Sequence, residues 1–174
     1  LTYRIESYTT GGQILISGTT LKEVGSIIKI YDEKEVMPKG VKKPITIYDI
    51  IGISGKYNLF LQKEEDVYLP LKEAISLQYV VLDGKNVGNF FQNGSLVKLS
   101  KKEGEIQVEH SGVSIPAALM NIKLNFLWDG KESEDVYAKV LEKKAENGNF
   151  YICFTAKPPD VSTKLESLYK SLQS

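Results

Sequence analysis

The stretch LTYRIESYTTGGQILIS, residues 1–17, joins an amphipathic helix pattern to a glycine turn and an apolar run. Leu1, Ile5 and Tyr8 recur at helical spacing, so they are expected to share one face of a helix. The Gly-Gly pair that follows is expected to end this helix, because glycine adopts left-handed backbone conformations at little cost. The apolar run in residues 13–17 is typical of a covered strand. The stretch therefore predicts a helix, a turn and a strand in that order.

The sequence up to about residue 58 continues with one helix signal and two strand patterns. Thr20 and Glu23 have the spacing of a capping box, which predicts a short helix over residues 21–24. The runs SIIKIYDEKEV (26–36) and ITIYDIIGI (45–53) alternate or are rich in β-branched residues, as strands are. Prolines and a glycine lie between these runs and indicate a turn. We therefore expect a short helix and then a β-hairpin.

The segments GGQILIS and EVMPKGVKKPITIYDI resemble the end of the catalytic domain of class III nucleotide cyclases, the adenylate and guanylate cyclases. In this family a helix with the pattern Asn-x-x-x-Arg precedes a strand of the pattern QILIS, and Arg4 falls on the arginine. The resemblance implies that Arg4 stabilises charge on the reacting phosphate, to which a guanidinium can donate two parallel hydrogen bonds. A surface arginine more often only forms ion pairs, here with Glu6 or Asp49, and this alternative stays open.

The resemblance also implies properties of a parent protein, the cyclase to which this chain would belong. The family's asparagine would stand immediately before Leu1 and its metal-binding aspartates further upstream, so the chain is expected to begin inside the last catalytic motif. The parent is expected to be a bacterial, cytoplasmic homodimer that binds Mg²⁺ or Mn²⁺ and converts ATP or GTP into the 3′,5′-cyclic nucleotide. A parent anchored to the membrane through upstream segments remains an alternative. We expect this chain alone to hold no cofactor or metal ion and to be inactive.

The amino-acid composition limits the classes of partner that we expect this chain to contact. The formal net charge of the 174 residues is zero, so no long-range field favours nucleic acid or an anionic membrane surface, and we expect contact with neither. Cys153 is the single cysteine, which excludes an internal disulfide and fits a reducing compartment. It lies in the strand pattern FYICFT, where a cysteine is expected to be a small buried apolar residue.

The second segment predicts an all-β structure that ends in a helix, and we place the domain boundary near Gln62, giving domains 1–62 and 63–174. Turn signals at Asp83-Gly84, Asn93-Gly94, Asp129-Gly130 and Asn147-Gly148 separate the predicted strands. The six predicted strands are Leu77–Leu82, Ser95–Ser100, Glu105–Glu109, Lys123–Trp128, Val136–Glu142 and Phe150–Thr155. A capping box at Thr163 and Glu166 predicts a helix whose apolar face holds Leu165, Leu168 and Leu172. The fold class predicted for the whole chain is α+β, mostly β.

The runs LVKLSKKEGEIQV (96–108), EDVYAKVL (134–141) and FYICFTAKPPDV (150–161) resemble a PilZ domain, a six-stranded antiparallel barrel with a C-terminal helix. Ser100 matches the serine of the family's Asp-x-Ser-x-x-Gly motif, Gly104 lies one place late, and Lys98 replaces the aspartate. Members that bind cyclic di-GMP also need an Arg-x-x-x-Arg element, and this chain has no arginine after Arg4. The resemblance implies a regulatory or interaction domain. A receptor for cyclic di-GMP or another nucleotide that uses lysines, and a protein-interaction module, remain alternatives.

Overall fold

The computed structural model describes residues 5–38, 40–62, 66–83, 86–87, 90–109, 115–145 and 148–173. The chain divides into two compact units, Leu1–Glu64 and Glu65–Ser174. We call them the small unit and the barrel unit and describe each by itself.

The small unit is a four-stranded antiparallel sheet with a short helix. Strand β3 is central, with β1 and β4 on one edge and β2 on the other. The elements are β1 (Leu15–Ser17), α1 (Gly18–Val24), a 3₁₀ turn (Gly25–Ile27), β2 (Ile28–Val36), β3 (Ile45–Ile53) and β4 (Leu59–Phe60). The predicted short helix and the β2–β3 hairpin are present, and Ile5 and Glu6 before them are helical.

Two local expectations in the small unit were wrong in detail. Helix α1 begins at Gly18 because Ser17 caps it, its hydroxyl accepting a hydrogen bond from the Thr20 backbone N–H at 3.2 Å. Thr20 therefore lies inside the helix. The expected covered strand is only three residues long and half-buried, and Ile14 before it is 49% exposed.

The small unit has a sparse core. Its core cluster contains Ile5, Val36 and Ile47, with Tyr8 packed against them, so the predicted apolar helix face at Ile5 and Tyr8 is confirmed. Several large apolar side chains of the same unit lie exposed. They are Ile30, Tyr31, Met37, Tyr57, Leu59 and Phe60.

The barrel unit is built on six long antiparallel strands that close on themselves. The sheet order is β10-β9-β11-β12-β8-β7-β5-β6, and pairing of β5 with β9 closes the ring. The elements are β5 (Leu69–Asp83), β6 (Asn86–Val87), β7 (Gln92–Leu99), β8 (Glu103–Val108), β9 (Asn121–Trp128), β10 (Lys131–Glu132), β11 (Val136–Lys144), β12 (Phe150–Ala156) and α2 (Pro159–Leu172). The predicted antiparallel barrel with a C-terminal helix is confirmed, and each of the six predicted strands falls within or overlaps one of these strands.

Alternating side chains of the six strands fill the barrel, as the strand period of two requires. Tyr79, Leu124, Phe126 and Ile152 are completely buried there. Tyr79 packs edge-on against Phe150, with 5.4 Å between ring centroids, and burial raises the pKa of Tyr79 to about 12. Helix α2 joins the same core, so the barrel unit has one continuous apolar interior.

Two expectations in the barrel unit were wrong. Asn93 and Gly94 lie inside β7 rather than in a turn, and a Cβ on Gly94 would approach the Gln107 carbonyl oxygen within 2.9 Å. Helix α2 begins at Pro159, where the fixed proline φ suits the first helical turn, and not at the predicted capping box. Thr163 instead donates its hydroxyl to the Pro159 carbonyl at 2.9 Å.

Other turn signals have different outcomes. Asp129 and Gly130 both have positive φ, which confirms the predicted tight turn between β9 and β10. Gly84 and Asn147 lie outside the described residues. Cys153 is buried, as expected.

Candidate functional site

The β7–β8 turn is organised by Ser100, which is 2% exposed. The Ser100 hydroxyl accepts a hydrogen bond from the Glu103 backbone N–H at 2.9 Å and donates to the Asp66 carboxylate at 3.1 Å. The Ser100 backbone N–H donates to the Glu103 carbonyl at 2.9 Å. Ser100 therefore holds the turn closed and fastens the segment that enters the barrel.

Gly104 lies in β8, where the barrel interior leaves no space for a side chain. A Cβ at this position would come within 2.5 Å of Leu96 and 3.6 Å of Phe154. Gly104 is therefore required for packing, whatever other role the turn has.

Lys98, in place of the motif's aspartate, is paired across the strands with Glu105. Its ammonium lies 2.7 Å from the Glu105 carboxylate, which also accepts a hydrogen bond from Asn149 at 2.6 Å. Burial acts to raise the pKa of Glu105, but hydrogen bonds from Lys98, Asn149 and Tyr151 outweigh it and leave that pKa below its ordinary value. Glu105 is thus held as a buried carboxylate.

Next to this pair, two tyrosines, a lysine and a carboxylate meet beside the turn. We call Tyr68, Glu103, Lys143 and Tyr151 the tyrosine–lysine cluster. The Tyr68 hydroxyl donates to Glu103, and Lys143 lies 3.0 Å from the Tyr68 hydroxyl and 3.2 Å from the Glu103 carboxylate. The two tyrosine rings meet edge-on at 5.0 Å, and the ammonium of Lys143 lies 4.5 Å from the Tyr68 ring centroid.

The chemistry of the cluster combines ring faces, a cation and an acceptor. Both tyrosines are half-buried, and the Lys143 side chain is 49% exposed. Burial, followed by the hydrogen bond to Glu103, raises the pKa of Tyr68, so its hydroxyl remains a proton donor. Aromatic faces can stack on planar groups, a lysine can pair with phosphate, and a carboxylate can accept N–H groups. These are the three contacts that a nucleotide offers.

The sequence did not predict the tyrosine–lysine cluster. Lys143 and Tyr68 are 75 residues apart in the chain and come together only when the barrel closes. Neither residue belongs to a recognisable motif, so no local signal could have found the pair.

The other sequence-predicted site residues have separate outcomes. Ser100 and Gly104 lie at and just after the β7–β8 turn, with the contacts given above. Arg4 lies outside the described residues, so its catalytic role remains a prediction. Among the residues that the structure describes, no group of three or more His, Cys, Asp and Glu side chains is arranged to hold a metal ion. Within those same ranges, no helix combines the length and apolar character needed to cross a membrane.

No protein-family model and no curated protein matches the chain. Among solved structures, it is similar to the PilZ domain of CeSA from a cellulose-synthesizing bacterium, with 17% identity, a TM-score of 0.42, and 62% of this chain and 99% of that one covered. It is also similar to the PilZ domain of YcgR from Escherichia coli, solved with cyclic di-GMP, with 14% identity, a TM-score of 0.46, and 64% and 92% covered. The Bacillus subtilis inhibitor of motility, MotI/DgrA, matches with 10% identity and a TM-score of 0.42, and the match covers 84% of this chain and 65% of that one. These likenesses concern the fold alone.

Proposed function

We propose that the barrel unit is a PilZ-like regulatory module that binds a nucleotide ligand at the tyrosine–lysine cluster. The observation that supports this most is the meeting of two tyrosine rings with Lys143 and Glu103 beside the Ser100 turn. The ligand's base stacks on the exposed part of a tyrosine ring, and Lys143 pairs with its phosphate. Stacking of one base on an aromatic side chain contributes about 1–3 kcal/mol.

Cyclic di-GMP at micromolar affinity is not the expected ligand. A micromolar dissociation constant corresponds to about 8 kcal/mol of binding free energy. The chain has no arginine beyond Arg4 to clamp the two phosphates and stack on guanine, and a lysine does not replace a bidentate guanidinium. Lys98 stands where the family's motif has an aspartate, so that motif is incomplete as well. We therefore expect a different nucleotide, or cyclic di-GMP at weaker than micromolar affinity.

Calorimetric titration with cyclic di-GMP, cyclic AMP, cyclic GMP, ATP and GTP tests this proposal. Tyr151→Ala and Lys143→Ala should each weaken binding of the best ligand. Tyr137→Ala and Lys131→Ala are the matched controls, since these residues are exposed and lie outside the cluster. Absence of saturable heat with all five nucleotides, or equal weakening by the controls, would show the proposal to be wrong.

We further propose that the small unit is the end of a class III nucleotide cyclase, as its sequence resemblance implies. Two observations support this candidate. The order β1, α1, β2, β3 follows the order expected for the end of that catalytic domain. The small core cluster and the exposed Ile30, Tyr31 and Leu59 suit a sheet completed by further polypeptide. In that parent protein, Arg4 would meet the phosphate and upstream carboxylates would hold Mg²⁺ or Mn²⁺.

This second candidate predicts that the chain alone converts neither ATP nor GTP. Incubation with either nucleotide and Mn²⁺, followed by chromatography, should yield no cyclic nucleotide above a buffer blank. Turnover by the isolated chain would contradict the assignment, because the metal-binding carboxylates and the asparagine of the family are not in its sequence.

A further inference from the structure

A cavity of about 350 Å³ lies between helix α2, the β7–β8 turn and the end of β12. Its floor is apolar and consists of Leu99, Phe154, Leu165 and Tyr169. The volume is at the low end of the roughly 300–1,000 Å³ typical of small-molecule sites. The tyrosine–lysine cluster contributes none of the side chains that line this cavity.

The two hydroxyl groups that line the cavity, those of Ser100 and Tyr169, are already bonded within the protein. The Ser100 hydroxyl is used by Asp66 and by the Glu103 backbone N–H. The Tyr169 hydroxyl donates to the Val67 carbonyl at 3.3 Å. A nucleobase buried here would leave its N–H and C=O groups without partners, which is costly. An acyl chain has no such groups and suits the floor.

The rim of the cavity is positively charged. Lys101, Lys102, Lys157 and Lys170 line it. One carboxylate, Glu166, lies among them, and it accepts a hydrogen bond from Ser162 at 3.0 Å.

Lys157 lies where the rim meets the floor. Its ammonium is 5.2 Å from the centroid of the Phe154 ring, so the cation lies against the apolar wall. An anionic head group could meet such a cation without leaving the apolar surface.

From this combination we infer that the cavity binds a medium-chain fatty acid. The acyl chain packs on Leu99, Phe154 and Leu165, and the carboxylate pairs with the lysines of the rim. Each exposed charge pair adds little by itself, so most of the affinity comes from the buried chain and the lysines select for the anion. This site is independent of the nucleotide site proposed above.

The test is titration of the whole chain with decanoate below its micelle-forming concentration, followed by calorimetry and by backbone amide NMR shifts. We expect saturable binding with shifts centred on residues 99–102, 154–157 and 165–170. Decanol, which has a similar chain and no charge, should bind more weakly. The double variant Lys157→Glu, Lys170→Glu should weaken decanoate binding by about tenfold, because two favourable charge contacts become repulsive. It should leave decanol binding unchanged.

Lys131→Glu provides the matched control, since Lys131 is exposed on β10 and does not line the cavity. The inference fails if decanoate shows no saturable binding, if its shifts lie elsewhere, or if Lys131→Glu weakens binding as much as the double variant. It also fails if AMP or GMP displaces decanoate from the cavity. Because the tyrosine–lysine cluster is untouched by these variants, nucleotide binding there is expected to persist whichever result is obtained.

Discussion

At the scale of single residues, Ser100 has a structural role that its sequence motif alone does not reveal. It is 2% exposed and closes the β7–β8 turn with bonds to Glu103 and Asp66. Any ligand that contacts this turn therefore meets a serine whose hydroxyl is already hydrogen-bonded within the protein. The family motif pointed to Ser100 as a site residue, but the bonding of Ser100 is a property of the folded barrel.

Ser100→Ala should lower the free energy of unfolding by about 1–3 kcal/mol, because it leaves the Glu103 N–H and the Asp66 carboxylate without this partner. Urea denaturation of the chain measures this loss. Ser167→Ala, at an exposed position of α2, is the control and should change stability by less than about 0.5 kcal/mol. Equal losses of unfolding free energy from the two substitutions would contradict the structural role of Ser100.

The Lys98–Glu105 pair predicts how stability depends on pH. The pKa of Glu105 is lowered in the folded state, so its contribution is complete above the ordinary glutamate pKa and is lost as pH falls through the lower folded value. Lys98→Met should therefore destabilise the chain at about pH 7, and the difference from the wild type should shrink towards about pH 3. Urea midpoints at both pH values measure it. A difference that is constant with pH would contradict the assigned pairing.

Arg4 leads to a prediction about the parent cyclase that we propose. Arg4→Ala should lower kcat by about a hundredfold or more and change KM less, because a guanidinium there would meet charge that develops in the transition state. The melting temperature should hardly change, since the helical spacing of the sequence predicts that Arg4 lies off the apolar face of Ile5 and Tyr8. A variant with near-normal kcat, or one that unfolds, would make Arg4 an ordinary structural arginine.

At the scale of secondary-structure elements, strands were easier to predict than their ends. Alternation and β-branched runs located the six barrel strands, because these patterns reflect one buried and one exposed face. The pair Asn93-Gly94 was wrongly predicted to form a turn. Gly94 instead allows close packing between neighbouring strands. The start of α2 was also missed, because Pro159 begins the helix without a side-chain cap.

Helix α2 packs its predicted face on the barrel, with Leu165 buried and Leu168 packed against the core. Val161, Leu165 and Tyr169 are the buried residues, whereas Leu172 is only half-buried. Val161→Ala removes two buried methyl groups and should cost about 1–2 kcal/mol of stability, with Leu172→Ala costing less despite the larger side chain removed. Thermal unfolding of both variants gives the comparison, and a larger loss for Leu172→Ala would contradict this ranking of burial.

At the scale of the whole molecule, the two units differ in how complete their cores are. The barrel unit closes its sheet and buries a continuous apolar interior. Among its described residues, the small unit has a core cluster of three buried residues and leaves large apolar side chains exposed. The first property suits a self-contained module and the second suits part of a larger domain, and this contrast supports our two proposals, a regulatory role for the barrel unit and a cyclase end for the small unit.

The sequence also limited what could be predicted about function at this scale. A local motif pointed to Ser100 and Gly104, but the tyrosine–lysine cluster forms only when strands β8, β11 and β12 and the entry segment meet. Closure of the barrel brings Tyr68 next to Lys143 and Tyr151 next to Glu105, and such long-range pairing leaves no trace in a single sequence.

The central claim is that the barrel unit binds a nucleotide through tyrosine and lysine rather than arginine. Backbone amide NMR spectra of the chain, recorded during titration with the tightest-binding nucleotide from calorimetry, test it most directly. The account predicts saturable shifts centred on Tyr68, Glu103, Lys143 and Tyr151, which Lys143→Ala reduces. Shifts confined to other surfaces of the barrel, or unchanged spectra at millimolar nucleotide, would contradict it.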